Sequence, residues 1–161
     1  IPTRGILMEM SGQIADACWA DKYDSLAEDF PNFTSLMIKA RPGKKNERIV
    51  GAAMLIETHD SQTGDDVLLV RGLNPTENYI HKIDVGEFYN AIVDYVSKVA
   101  EAAGAKPAIV IDDHSGGSTT NRPTLYGYIR AQQPTLPKVS VPRDETFFNT
   151  YDVSSKSHLV R

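Results

Sequence analysis

The chain has 161 residues, which fits one domain spanning 1–161, and its 41% hydrophobic and 24% charged residues are the balance of an ordinary soluble fold. A formal net charge of −4 argues against a protein dominated by contacts to nucleic-acid phosphates, and no apolar run reaches the roughly 20 residues of a membrane-spanning helix. Cys18 is the only cysteine, so an intrachain disulfide and a cysteine-based zinc cluster are excluded, and a reducing, cytoplasmic setting fits.

No signal peptide is visible. The chain opens Ile1-Pro2-Thr3-Arg4 rather than with methionine, which reads as a trimmed piece of a longer protein. Residues 13–30 then carry Ile14, Ala17, Cys18, Tyr23, Leu26 and Phe30 along one helical face, with Ser11 as the expected N-cap and Pro31 as the stop. Three strands are expected next, at 33–40, 48–58 and 67–73. Polar, turn-forming stretches at 41–47 and 59–66 join them into an antiparallel meander. The near-continuous apolar run at 48–58 predicts burial on both faces of its sheet.

Beyond Leu73 the pattern changes. Residues 84–103 place Phe88, Ile92, Tyr95, Val96, Val99 and Ala103 at helical spacing, and Gly104 and Pro107 mark the end. "AIVID" (108–112) reads as a short buried strand, which a helical crossover makes parallel to the strand before it. A polar, Gly-rich loop (113–123) leads to a weaker helix (124–133). Two further strand candidates follow, "KVSVP" (138–142) and "TFFNTYDV" (146–153). The expected fold is α+β: a mixed sheet with helices packed on it.

This order resembles that of the GNAT superfamily, the acetyl-CoA-dependent N-acyltransferases. Two local stretches carry the resemblance. Family members open a helix after the meander with Arg/Gln-x-x-Gly-x-Gly/Ala, whose backbone amides hold the pyrophosphate of coenzyme A. Here that register reads His81-x-x-Asp84-x-Gly86, and only the last glycine matches. Many members also carry Asn, a small residue three positions on and Tyr seven positions on. Asn121, Thr124 and Tyr128 stand at that spacing. The resemblance implies an acyl-CoA cofactor held by Leu73, His81, Asp84, Val85, Gly86 and Asn121, with Tyr128 protonating the departing thiolate. The acceptor is then a small-molecule or peptide amine, with no nucleic acid and no membrane as partner. For the general base, Glu57 and Asp112 are the candidates, each at a strand end.

Each of these residues also has a plainer reading. Asp84 and Glu87 match a capping box, in which the aspartate takes the amide donors that a phosphate needs. Tyr128 and Tyr126 are equally tyrosines that pack a ring inward and wet a hydroxyl. Asp112, Asp113 and His114 suggest a metal-dependent hydrolase if His59 or Asp60 joins them, and a polar loop otherwise. Lys44 and Lys45 lie in a basic run with no interleaved aromatic residue, which reads as a solvated turn. Three functions therefore stand: an acyl-CoA-dependent N-acyltransferase, a GNAT-like binding or regulatory module without the cofactor, and a metal-dependent hydrolase.

Overall fold

The most apolar stretches of the sequence become the middle of one sheet. In the computed structural model, which describes residues 2–3, 6–17, 20, 31–112, 118–142 and 157–160, the chain runs β1 (Pro2–Thr3), α1 (Ile6–Ile14), β2 (Phe33–Ala40), β3 (Arg48–His59), β4 (Asp66–Pro75), α2 (Glu77–Ile80), α3 (Val85–Ala102), β5 (Lys106–Val110), α4 (Pro123–Gln132), β6 (Lys138–Val139) and β7 (Ser157–Leu159). A 3-10 turn (Gln133–Thr135) follows α4. Among the described residues seven strands pair in the order β1-β2-β3-β4-β5-β7-β6. All these pairs are antiparallel except β4 with β5. The meander and the parallel crossover are both present, and the fold is mixed α+β.

Successive side chains of a strand point to opposite faces. In β3, Ala52, Met54 and Ile56 join Met8, Phe33, Val67, Leu69, Ala108 and Val110 in the core beneath α1. Ala53 and Leu55 join Leu68, Val70 and Ile109 in a second core beneath α3 and α4. A strand covered on both faces has no position left for a polar side chain, hence its continuous apolar run. Each buried Leu, Ile, Val or Phe contributes roughly 1.5–3 kcal/mol relative to an exposed one.

Helix α3 follows its sequence closely. Phe88, Tyr89, Val93, Val96 and Ala100 face the sheet. Asp84 stands in extended backbone at the N-cap, and its Oδ1 accepts from the Glu87 amide at 2.8 Å. At the other end Gly104 takes a φ of 72°. The Ala105 amide donates to Ala100 O and the Gly104 amide to Glu101 O, at 2.8 and 3.0 Å, which closes the helix with a paired C-terminal cap.

The N-terminal reading is corrected. The helix covers Ile6–Ile14, and Asp16 leaves it with a φ of 52°. Ser11 is no cap: it lies inside α1, buried, and its hydroxyl donates to Met8 O at 3.0 Å. The chain exits here because distant groups capture it, since Asn121 Nδ2 donates to Asp16 O and Arg122 Nη2 to Ala15 O. Residues 18, 19 and 21–30 lie outside the described residues, as does the strand expected at 146–153. "KVSVP" shortens to the two residues of β6, and β7, α2 and β1 are additions too short for periodicity to signal.

Candidate functional site

Two helices meet at the N-terminal end of α3. A Cβ on Gly86 would stand 3.1 Å from the Tyr128 hydroxyl and 3.2 Å from Asp84 Oδ1, so the absence of a side chain lets α4 come this close. The Tyr128 ring meets the Tyr89 ring edge-on, with centroids 5.7 Å apart. Burial first, and then the neighbouring Tyr128, push the Tyr89 phenol up to about 12, so it stays protonated at neutral pH. Asp84, Gly86 and Tyr128, singled out separately in the sequence, are thus brought together. Val85 opens α3 and packs half-buried on the same core. His81 ends α2, exposed, with its imidazole 3.0 Å from Glu77.

A second cluster lies where β4 outlasts β5. Pairing between the two strands covers Val67–Val70 against Lys106–Ile109. β4 then bulges: the β3 register skips a residue between Ala52 and Met54, and Gly72 takes a φ of 59°. The bulge points two successive amides toward one edge. Gly72 N donates to Ser118 O and Leu73 N to Thr119 O, both at 2.8 Å. Residues 118–119 therefore continue the ladder that β5 drops. Leu73 itself is fully buried in the α3-side core.

Polar side chains fasten this seam, and most of them are buried: Arg71, Asn74, Asp112, Thr119, Thr120 and Arg122. Asn74 Oδ1 accepts from the Asn121 amide at 2.9 Å and from Thr120 Oγ1 at 3.2 Å. Arg122 donates through Nε to Pro75 O at 2.5 Å, through Nη2 to Ala15 O at 2.9 Å, and through Nη1 to Asn121 Oδ1. Arg71 Nη2 donates to Ser118 Oγ at 3.2 Å. Asp112 accepts from Ser118 N with its carboxylate and from the Tyr126 hydroxyl with its carbonyl, and its own amide donates to Thr119 Oγ1. Asp112 and Asn121 are thus engaged in holding residues 118–122 against β4. The cue for this cluster is "RGLNP" (71–75), where Arg and Asn interrupt an apolar strand, and "TNRP" (120–123), its partner.

Glu57 is not part of either group. It pairs with Leu68 and lines a cavity of about 720 Å³ with Asn32, His59, Asp66, Val99 and Ala103. Val99 and Ala103 belong to the C-terminal end of α3, roughly 25 Å along the helix from Asp84 at 1.5 Å per residue. His59 pairs with Asp66 at the start of β4, whereas Asp112 lies past the end of β5. Those two are therefore at opposite ends of the sheet, and Asp113 and His114 lie outside the described residues. Among the described residues no group of three His, Cys, Asp or Glu side chains comes together to hold a metal.

A groove of about 550 Å³ runs between β2 and the first turns of α3, with Ile38, Tyr79, Ile83, Phe88, Ile92 and Tyr95 in its walls and Asp84 and Glu87 at its rim. Tyr79 and Phe88 meet edge to face there, 6.2 Å between centroids. Among the described residues no helix is long and apolar enough to cross a membrane.

Among the described residues, fold and site together define a mixed α+β arrangement with a polar seam beside the parallel β4–β5 pair and an apolar groove beside α3. Comparison with known proteins adds no family: no family model and no curated protein matches the chain.

Proposed function

We propose that this domain is a GNAT-like binding or regulatory module that works without coenzyme A. The observation that carries the reading is the seam. A cofactor entering between β4 and β5 needs the strand edge beyond Val70, and there the Gly72 and Leu73 amides are already bonded to Ser118 O and Thr119 O. The helix end supports the same reading. Asp84 places a carboxylate on the amides of α3 that a pyrophosphate needs, and two anions at one helix terminus repel. The Tyr128 hydroxyl closes on Gly86, and Glu57 stands at the far end of α3.

Acyl transfer from acyl-CoA to an amine is the second reading. It is favoured by the meeting of Tyr128 with the α3 N-terminus, since a phenol hydroxyl there could serve as the acid for a departing thiolate. Titration calorimetry with acetyl-CoA separates the two, on the protein and on Asp84→Gly. The module reading expects no heat from the parent protein at millimolar ligand. Saturable binding by the parent would sink it, and binding by Asp84→Gly alone would mark an eroded cofactor site.

A further inference from the structure

We propose that the hairpin joining β2 to β3 is a docking tip for an acidic segment of a partner protein, whose aspartate and glutamate side chains it holds through Arg41, Lys44, Lys45 and Arg48. The inference goes beyond the module reading and concerns a different surface. It begins from the distribution of charge. Residues 41–48 carry four cations and one carboxylate, a net +3, which leaves −7 on the rest of a chain whose total is −4. All eight residues are exposed. The last rung of the ladder pairs Ala40 with Arg48, so Arg41, Lys44 and Lys45 lie past the end of the sheet rather than on its edge.

The plain expectation for such a run is a solvated turn, and the structure gives it a direction. The one carboxylate of the run is turned back into the hairpin. Glu47 Oε1 accepts from Lys39 Nζ at 2.5 Å and Oε2 from the Gly43 amide at 2.6 Å. The Lys39 ammonium first, and then the Gly43 amide, hold its carboxyl below the usual range, so it stays ionised and neutralises Lys39. Among the described residues no carboxylate pairs with Arg41, Lys44, Lys45 or Arg48. Backbone bonds stiffen the tip as well. Lys44 N donates to Arg41 O at 3.1 Å and Glu47 N to Lys44 O at 2.9 Å, in two successive turns. Arg41 stands there with a φ of 53°, a left-handed conformation that glycine or asparagine takes more readily. A charged side chain is kept where the backbone favours a small one.

Chemistry selects among polyanions. The brace at Glu47 is itself a carboxylate held by this hairpin, with an ammonium on one oxygen and a turn amide on the other. Residues 39–48 hold no aromatic side chain, so the bases of a single strand find nothing to stack on. A duplex carries about one charge per 1.7 Å along its axis. Its length would bring phosphates against the −7 of the remaining chain. Pro42 is the one apolar side chain from 41 to 48, so the tip has nothing to sink into lipid. A short segment with a few carboxylates matches the four cations, and a braced tip loses little freedom in meeting it.

The test is fluorescence anisotropy of a fluorescein-labelled oligopeptide that alternates glutamate and serine, at low ionic strength, with the same peptide carrying glutamine for glutamate as its companion. The expected result is saturable binding of the glutamate peptide that weakens as salt is added, and weaker binding of the glutamine peptide. Lys44→Gln/Lys45→Gln should weaken binding of the glutamate peptide about fivefold, the scale of two exposed ion pairs. Lys82→Gln/Lys98→Gln, which removes the same charge elsewhere, should bind as the parent does. Arg41→Gly removes a cation and relieves the left-handed φ, so it should bind about twofold more weakly while its melting temperature does not fall. Equal binding of the two peptides, equal loss in the two lysine double variants, or no binding at millimolar protein would each overturn the proposal. So would tighter binding, through Lys44 and Lys45, of an oligothymidylate of matched charge or of vesicles containing phosphatidylserine, which would assign the tip to nucleic acid or to a membrane. Acetyl-CoA is absent from these measurements, so this proposal and the module reading fail separately.

Discussion

The lower half of β4, Val67–Val70, and its upper half, Arg71–Pro75, belong to one strand and are held by different chemistry. Below, β5 supplies a regular ladder and apolar side chains fill both faces. Above, residues 118–119 continue the ladder, and buried arginine, asparagine, aspartate and threonine side chains fasten it. The apolar half tolerates imperfection by degrees, because a lost methylene loses a share of contact. The polar half does not, because a deleted partner leaves a buried group with its full desolvation cost.

The largest expected effect breaks the polar half. Arg122→Ala orphans the buried carbonyls of Pro75 and Ala15, each at roughly 1–3 kcal/mol, and should cost about 4 kcal/mol in urea denaturation. Leu69→Ala in the apolar half, at a fully buried site, should cost about 3 kcal/mol. An Arg122→Ala protein as stable as the wild type would erase the contrast. Next is Gly51→Ala. A Cβ there would lie 2.8 Å from Asn74 O and 2.9 Å from Pro75 Cα, both backbone, so the upper half of β4 must shift. About 2 kcal/mol lost by thermal denaturation is expected.

Smaller again is the α3 cap. Asp84→Ala should cost about 1 kcal/mol, and Asp84→Asn close to nothing, in the same denaturation measurement. A large loss in Asp84→Asn would show that the charge, not the cap, matters. The last effect is silent at neutral pH. The Tyr89 phenol is raised from 10.0 to about 12 in the folded chain. Its contribution is complete below pH 10. It is lost as the pH climbs from 10 toward 12, because the unfolded chain ionises first. Tyr89→Phe should flatten the alkaline fall in melting temperature over that window.

The same contrast governs what the sequence makes legible. β2, β3, the lower half of β4, α3 and β5 are written in local periodicity, and α3 carries both of its caps in plain view. Gly86, Asp84 and Tyr128 are legible as separate candidates, though nothing local says that they touch. The seam is written in pairs that periodicity does not see. Arg71 and Asn74 look like interruptions of a strand until Ser118 and Asn121 are set beside them. The exit of α1 at Asp16 is decided by Asn121 and Arg122 rather than by helix propensity. Glu57, chosen with Asp112 as a strand-end carboxylate, lies at the opposite end of the sheet from it, because sequence gives each strand and not its direction relative to the other.

The bulge at Gly72 also sets an order of assembly. Its two successive amides wait for the carbonyls of Ser118 and Thr119, beyond α3 and β5 in the chain, and the side-chain ties of the seam span 47 residues for Arg71, Asn74 and Pro75 and 107 for Ala15. Closing such long loops is the slow part of folding, whereas the β2–β3–β4 hairpins close locally. A chain emerging N-terminus first therefore carries the upper half of β4 unfinished until residues 118–122 follow. Arg122, arriving late, fastens α1 and β4 in one step.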